Sequence, residues 1–277
     1  MLRRSSAALA LVCLVTLLVY LPVLTSLARQ WASDENYSHG FLVAPFAVYL
    51  AWRRRHELKA EPLRPHWLGL PIVLGSLALL VAGRLGAELF LTRVSLLGLM
   101  AGAVVFLYGL RHLRLLAFPL CFLLLMVPLP AIVFNQIAFP LQLLASSAGQ
   151  SVLDAASIPV LREGNILVLP TITLQVVEAC SGIRSLVSLL TLAIIVGALT
   201  EQRVWARWVL AALAFPVAIA ANAARVAGTG LMAQWIGPQA AQGFLHEFSG
   251  WVVFVVAFAL LLATRRAFPR PQQMRTS

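Results

Sequence analysis

Charge is what this sequence has least of. Charged residues make up 11% of the 277 positions, against about 25% in an average globular chain. Cysteine is nearly absent too. The three, Cys13, Cys121 and Cys180, are unevenly spaced and form no CxxC pair. That excludes a disulfide framework and gives no support to a zinc site of the usual ligand spacing. No cofactor or metal is expected. Acidic residues number 10 against 21 basic ones, for a formal net charge of +11. The basic residues do not gather into one patch. They sit in small clusters between apolar segments, the pattern of membrane topology signals and not of a nucleic-acid surface. Nucleic acid is therefore not an expected partner.

What fills the chain instead is apolar: 61% of residues, with a mean hydropathy of +0.89. Several windows approach or exceed the ~18 apolar residues of a spanning helix. The expected fold is an all-α polytopic membrane protein in contact with the lipid bilayer. Apolar runs and breakers place about eight transmembrane helices, over residues 7–27, 38–52, 67–82, 88–110, 115–134, 182–199, 208–228 and 247–263. The first run follows Arg3-Arg4 without a clear cleavage site and reads as a retained helix. Residues 135–157 interleave Gln136, Gln142, Ser146, Ser147, Gln150, Ser151 and Asp154 with apolar residues. They read as an amphipathic helix lying along the interface. Arg162-Glu163-Gly164-Asn165 is a turn signal. The β-branched stretch 166–177, broken by Pro170, reads as one or two short strands outside the membrane. The chain 1–277 is expected to form one integral membrane domain, with a basic tail at 265–277.

Eight spans put both termini on one side. Arg3, Arg4, Arg53, Arg54, Arg55, Lys59, Arg64, Arg111, Arg114, Arg203, Arg207, Arg265, Arg266, Arg270 and Arg275 fall there, while Arg29, Arg84, Arg93, Arg162, Arg184 and Arg225 are left on the other. The positive-inside rule makes the first side, and both termini, cytoplasmic.

That topology gathers the unusual residues. Cys180 precedes the sixth helix, Arg225 lies in the last turn of the seventh, and His246 sits just before the eighth, all at the outer face. A helix N-terminus or a nearby cation lowers a thiol's pKa towards the nucleophilic thiolate. Histidine is the usual proton carrier near neutral pH, and arginine is a fixed donor to a developing oxyanion. The three suit acyl transfer: Cys180 attacks an amide, His246 protonates the leaving amine, and Arg225 stabilises the tetrahedral intermediate. The blander readings are a packed cysteine, an Arg225 that snorkels or pairs with Glu178 or Glu247, and a His246 that caps a helix. Arg184, one turn after Cys180, competes for the role given to Arg225. His39, in Tyr37-Ser38-His39-Gly40, competes as the base.

The stretches Glu178-Ala179-Cys180-Ser181-Gly182-Ile183-Arg184-Ser185 and Asn222-Ala223-Ala224-Arg225-Val226, followed by His246, resemble the exosortases and archaeosortases. Tyr37-Ser38-His39-Gly40-Phe41-Leu42-Val43 with Trp52-Arg53-Arg54 is similar to the N-terminal region of that family. The resemblance runs from about Tyr37 to Arg266. It implies a membrane-embedded cysteine transpeptidase or protease of the cell inner membrane. Such an enzyme cleaves the C-terminal PEP-CTERM-type sorting signal of exported proteins at the periplasmic face, and the family is linked to exopolysaccharide production. The signal has a short Pro-Glu-Pro-like motif, a transmembrane helix and a basic end. The implied partners are that helix and an unidentified acceptor nucleophile. By motif position the family's Cys, Arg and His fall on Cys180, Arg225 and His246. Arg184, Glu178, Asn222 and His39 are candidates for contacting substrate. The competing readings are a transporter or lipid-linked glycan flippase, and a scaffold subunit of a polysaccharide assembly. Against the flippase, charges are scarce at helix centres, where a translocation path often places them.

Overall fold

The computed structural model describes residues 2–176, 182–201, 203–237, 239 and 244–265. The side chains of residues 2–13, 244–249 and 265 fall outside that description. The chain divides into two compact units, Met1–Pro130 and Ala131–Ser277. Among the described residues five helices are long and apolar enough to cross a membrane, and two shorter apolar helices accompany them.

The N-terminal unit holds α1 (Leu2–Ser33), α2 (Gly40–Arg53), α3 (Arg55–Ala60), α4 (Gly69–Leu85), α5 (Leu89–Leu107) and α6 (Leu110–Phe122). Helices α4 and α5 form a close antiparallel hairpin because small residues face each other. A β-carbon at Gly83 would meet Thr92 at 2.8 Å, and one at Gly102 would meet Val73 at 2.9 Å. Lipid offers no hydrophobic drive for helix pairing, so such close approach is what holds spanning helices together. The buried Tyr20 hydroxyl pairs with Ser95 Oγ at 3.0 Å and ties α1 to α5. The turn between α4 and α5 comes later than the sequence suggests. Gly83-Arg84-Leu85 stay helical, and Glu88 caps α5 by accepting from the Phe90 N–H at 3.0 Å.

The fifth expected helix, 115–134, is broken. Helix α6 tightens into a 3-10 turn at Leu123–Met126, and the next helix starts at Ala131. Pro128 and Pro130 explain the break, since proline lacks a donor and restricts its predecessor. The turn is held by Trp31, whose Nε1–H donates to the Met126 carbonyl at 2.9 Å. His39 Nε2 lies 2.9 Å from the Leu125 carbonyl.

The C-terminal unit holds α7 (Ala131–Ala155), a small sheet, α8 (Ile183–Thr200), α9 (Val204–Trp235) and α10 (Phe244–Arg265). Helix α7 covers most of the stretch 135–157, read as an amphipathic interfacial helix with a spanning helix as the alternative. It is long and apolar enough to cross a membrane. The polar residues that suggested a wet face include Gln142 and Ser146, which are both buried. Their polar groups are used inside the unit, where Ser146 Oγ donates to the Gly164 carbonyl at 2.9 Å.

The sheet is a three-stranded antiparallel meander of β1 (Leu161–Glu163), β2 (Ile166–Val168) and β3 (Thr173–Gln175). Arg162 and Glu163 were expected in the turn but belong to β1, pairing with Leu167 and Ile166. The turn itself is Gly164-Asn165, and Gly164 has φ +64, which suits glycine in a two-residue hairpin loop. Leu167 is fully buried against Ala145, Leu153 and Val226, so the sheet is pinned onto α7 and α9.

Helix α9 is the axis of this unit. Ala206, Leu210, Ala214, Ala218, Asn222, Val226 and Gly230 recur every fourth residue, and all are buried. The row spirals slowly round the helix: Leu210, Ala214 and Ala218 pack on α8 and α10 with Leu186, Leu189, Ala193, Ala257 and Leu261, while Val226 and Gly230 turn towards α7 and the sheet. The helix has 32 residues, about 48 Å at ~1.5 Å per residue, and outruns the ~30 Å hydrocarbon layer. The sequence suggested an end at Gly228. The helix continues because Gly230 is a packing residue: a β-carbon there would meet Leu153 at 3.0 Å.

Candidate functional site

Two of the predicted motif segments meet at the N-terminal end of α8. Gly182 is the N-cap of that helix, in the left-handed region at φ +79. A β-carbon on it would lie 2.8 Å from Cγ and 3.0 Å from Nδ2 of Asn222. Glycine is thus required twice, by backbone conformation and by space. The Gly182 carbonyl accepts from the Leu186 N–H at 2.8 Å and from Ser185 Oγ at 2.9 Å. Asn222 is the one polar residue in the buried α9 row described above, and its amide packs against Gly182.

Arg225 stands one turn further along α9 and is half-buried. It was expected in the last turn of its helix. It lies instead about three turns before the end at Trp235, because the helix runs on past Gly228. Its guanidinium covers Gly250 of α10, where a β-carbon would lie 2.9 Å from Cζ, 3.0 Å from Nη2 and 3.2 Å from Nε. Ser185, Asn222, Arg225, Gly250 and Phe254 line a cleft of about 30 Å³, room for roughly two waters. His246 was expected just before its helix and lies in the first turn of α10. It stands four residues before Gly250, and positions i and i+4 share a helix face. Its side chain is outside the described residues.

Cys180 and Glu178 also lie outside the described residues. The positions flanking them are both held. On one side is Gly182, as above. On the other, Val176 is clamped by Asn165: the Val176 N–H donates to the Asn165 carbonyl at 2.9 Å, and Asn165 Nδ2 donates back to the Val176 carbonyl at 3.0 Å. Asn165 Nδ2 also reaches Gln142 Oε1 at 3.3 Å. A chain of contacts thus runs from α7 through the hairpin turn to the stretch that carries Cys180. Arg184 is half-buried in the first turn of α8.

His39 belongs to the N-terminal unit, as the N-cap of α2. Sequence reasoning missed Gln142, Asn165 and Gly250. Gly182 and Ser185 were visible inside the cysteine motif. The other three carry no local signal, because each matters only through a tertiary neighbour.

These contacts bring the start of α8, the Asn-x-x-Arg stretch of α9 and Gly250 of α10 together within the C-terminal unit. Residues 31–263 match the family model described as transmembrane exosortase. The chain belongs to the transmembrane exosortases. No curated protein and no solved structure matches it. The exosortases are a cysteine-type sorting transpeptidase family of the membrane, so at that level the chain is a multi-pass membrane sorting transpeptidase. The match covers both compact units.

One consequence concerns Asn165. In an Asn165→Ala exosortase the Val176 carbonyl and the buried Gln142 amide lose a partner, at a cost of about 1–2 kcal/mol. We expect a modestly lower melting temperature and a several-fold slower processing of a sorting signal in cells. An unchanged processing rate would mean that the hairpin does not position the Cys180 stretch.

Proposed function

We propose that this exosortase cleaves the C-terminal sorting signals of exported proteins through a thioester on Cys180. The observation that carries the reading is that Asn222, packed on Gly182, and Arg225, packed over Gly250, both line one small cleft that Ser185 also reaches. Only Ser181 lies between Cys180 and Gly182, so at most about 7 Å of extended chain separates their Cα atoms. The N-terminus of α8 favours negative charge and so favours a thiolate.

In the proposed reaction the Cys180 thiolate attacks the carbonyl carbon of the scissile peptide bond. The oxygen becomes an oxyanion, which the Arg225 guanidinium stabilises by donated hydrogen bonds. Collapse breaks the C–N bond, and the leaving nitrogen takes its proton from His246. The product half carrying the new amine departs. An acceptor amine, hydroxyl or water then attacks the thioester carbon, gives its proton to His246 and releases the thiolate. In this reading Arg184, half-buried in the first turn of α8, attracts an acidic group of a PEP-CTERM-type motif. Glu178, Asn222 and His39 are the further candidates for contacting substrate. About eight spans with both termini cytoplasmic, supported by the distribution of basic residues, would set this site at the periplasmic face of the inner membrane.

The test is interception. The purified exosortase is incubated with a synthetic tail carrying a Pro-Glu-Pro-like motif, an apolar helix and a basic end, with and without hydroxylamine. A thioester should yield a peptide ending in a hydroxamate, identified by its mass. Cleavage without hydroxamate would overturn the acyl-enzyme. Intact peptide with several tails would overturn the protease and leave a transporter or scaffold as the better reading.

A further inference from the structure

Arg93 is the buried charge that the proposed reaction does not use. It sits near the start of α5, in the N-terminal unit, and is 3% exposed. Its Nε and Nη2 are buried, with no acceptor among the described residues. Glu88 and Tyr37 act on it electrostatically, but one oxygen of Glu88 is already occupied by the Phe90 N–H. A buried guanidinium with unmade hydrogen bonds is costly, and the cost falls when an anion completes them.

Room for an anion lies beside it. A crevice of about 250 Å³ is lined by Arg84, Arg93, Ser26 and Thr92, together with apolar residues that include Val23 and Leu89. Arg84 Nη2 donates to the Val19 carbonyl of α1 at 2.8 Å, which holds a second guanidinium at this crevice. One of its five N–H donors is used in that bond. Two guanidinium groups therefore oppose a single carboxylate, Glu88. The crevice also lies at the end of the α4–α5 hairpin, where two apolar helices turn back. In a bilayer such a turn lies at the level of the lipid headgroups. The half-apolar wall suits a phosphate that carries glycerol and acyl chains better than a bare ion.

We propose that this crevice binds the phosphate headgroup of an anionic membrane lipid between Arg84 and Arg93. The site needs neither Cys180 nor the cleft of the C-terminal unit, so it stands or falls apart from the proposed reaction.

The test uses the full-length protein in mild detergent, with native mass spectrometry during titration by phosphatidylglycerol. One lipid should be retained on the wild type, with phosphatidylcholine retained far less. Arg84→Gln should weaken retention roughly tenfold, the loss of one charge-assisted contact. Ser26→Trp, which keeps every charge but plugs the crevice, should weaken it as much. Arg203→Gln, in the other unit, should leave it unchanged. Equal retention by wild type, Arg84→Gln and Ser26→Trp would overturn the site. Equal retention of phosphatidylcholine would overturn the anion. Loss of the bound lipid on adding inorganic phosphate at the same concentration would overturn the lipid in favour of a soluble anion. Because the two substituted side chains are not fully buried, circular dichroism and melting of each variant should match the wild type. A variant that melts early is replaced by Arg84→Met or Ser26→Phe, with the same two outcomes.

Discussion

Cys180→Ala exosortase should accumulate in the membrane at the normal level and leave a co-expressed, tagged substrate with a PEP-CTERM-type tail at its full size. Loss of a nucleophile removes the covalent path altogether, and the residual rate should fall by on the order of 10³-fold or more. Serine should not restore it. Its hydroxyl ionises far above neutral pH, and an imidazole tuned for a thiolate is a poor base for it. The folded protein should tolerate the change, because Val176, on one side of the stretch, is held by two hydrogen bonds to Asn165, and Gly182, on the other, packs against Asn222. Cys121 supplies the comparison. It is an exposed free cysteine in α6 of the N-terminal unit, and Cys121→Ala should process substrate like the wild type. An equal size shift in wild type and Cys180→Ala would remove Cys180 as the nucleophile and leave the family's chemistry without its thiol in this chain.

How much of this was legible in the sequence depends on the range of the interaction. The membrane class follows from composition and run length alone, and the helix starts near Gly69, Leu89 and Ile183 follow from local turns and charges. Helix ends were harder. Gly228 and Gly230 look like terminators, since a mid-helix glycine costs about 1 kcal/mol relative to alanine. In α9 that cost is offset by the packing of Leu153 into the space Gly230 leaves. Polar residues misled in the same way. Gln142 and Ser146 on α7 read as a wet face, yet both are buried, and their hydrogen bonds go to the hairpin turn. A sequence pattern reports polarity, not whether the partner is water or protein. The candidate site shows the same division. Asn222 and Arg225 stand out as polar residues in an apolar helix, but their counterparts are Gly182 and Gly250, and glycine carries no chemical signal of what lies over it. Arg93 was legible as a charge in an apolar run. Its burial and its crevice were not.

Gly250 gives the sharpest separation of fold from function. A β-carbon there would come within 2.9 Å of the Arg225 guanidinium, closer than a β-carbon contact tolerates. The yielding partner is the far end of a flexible side chain, so Gly250→Ala should displace the guanidinium and spare the helix packing. Alanine also favours the helix over glycine by up to about 1 kcal/mol. The melting temperature should therefore stay level or rise slightly. Processing should nevertheless fall by about 10²-fold, the usual effect of removing one fixed oxyanion donor or of misplacing a group by ~1 Å. Gly228→Ala is the control. It lies on α9 within a turn of Arg225, and a β-carbon there meets nothing within 4 Å, so both stability and processing should hold. If Gly250→Ala processes at the wild-type rate, the position of Arg225 over α10 has no part in the reaction, and Arg184 becomes the better oxyanion donor. If it unfolds instead, with Gly228→Ala intact, the contact between α9 and α10 is rigid at that point, and the guanidinium is a packing element of the bundle before it is anything else.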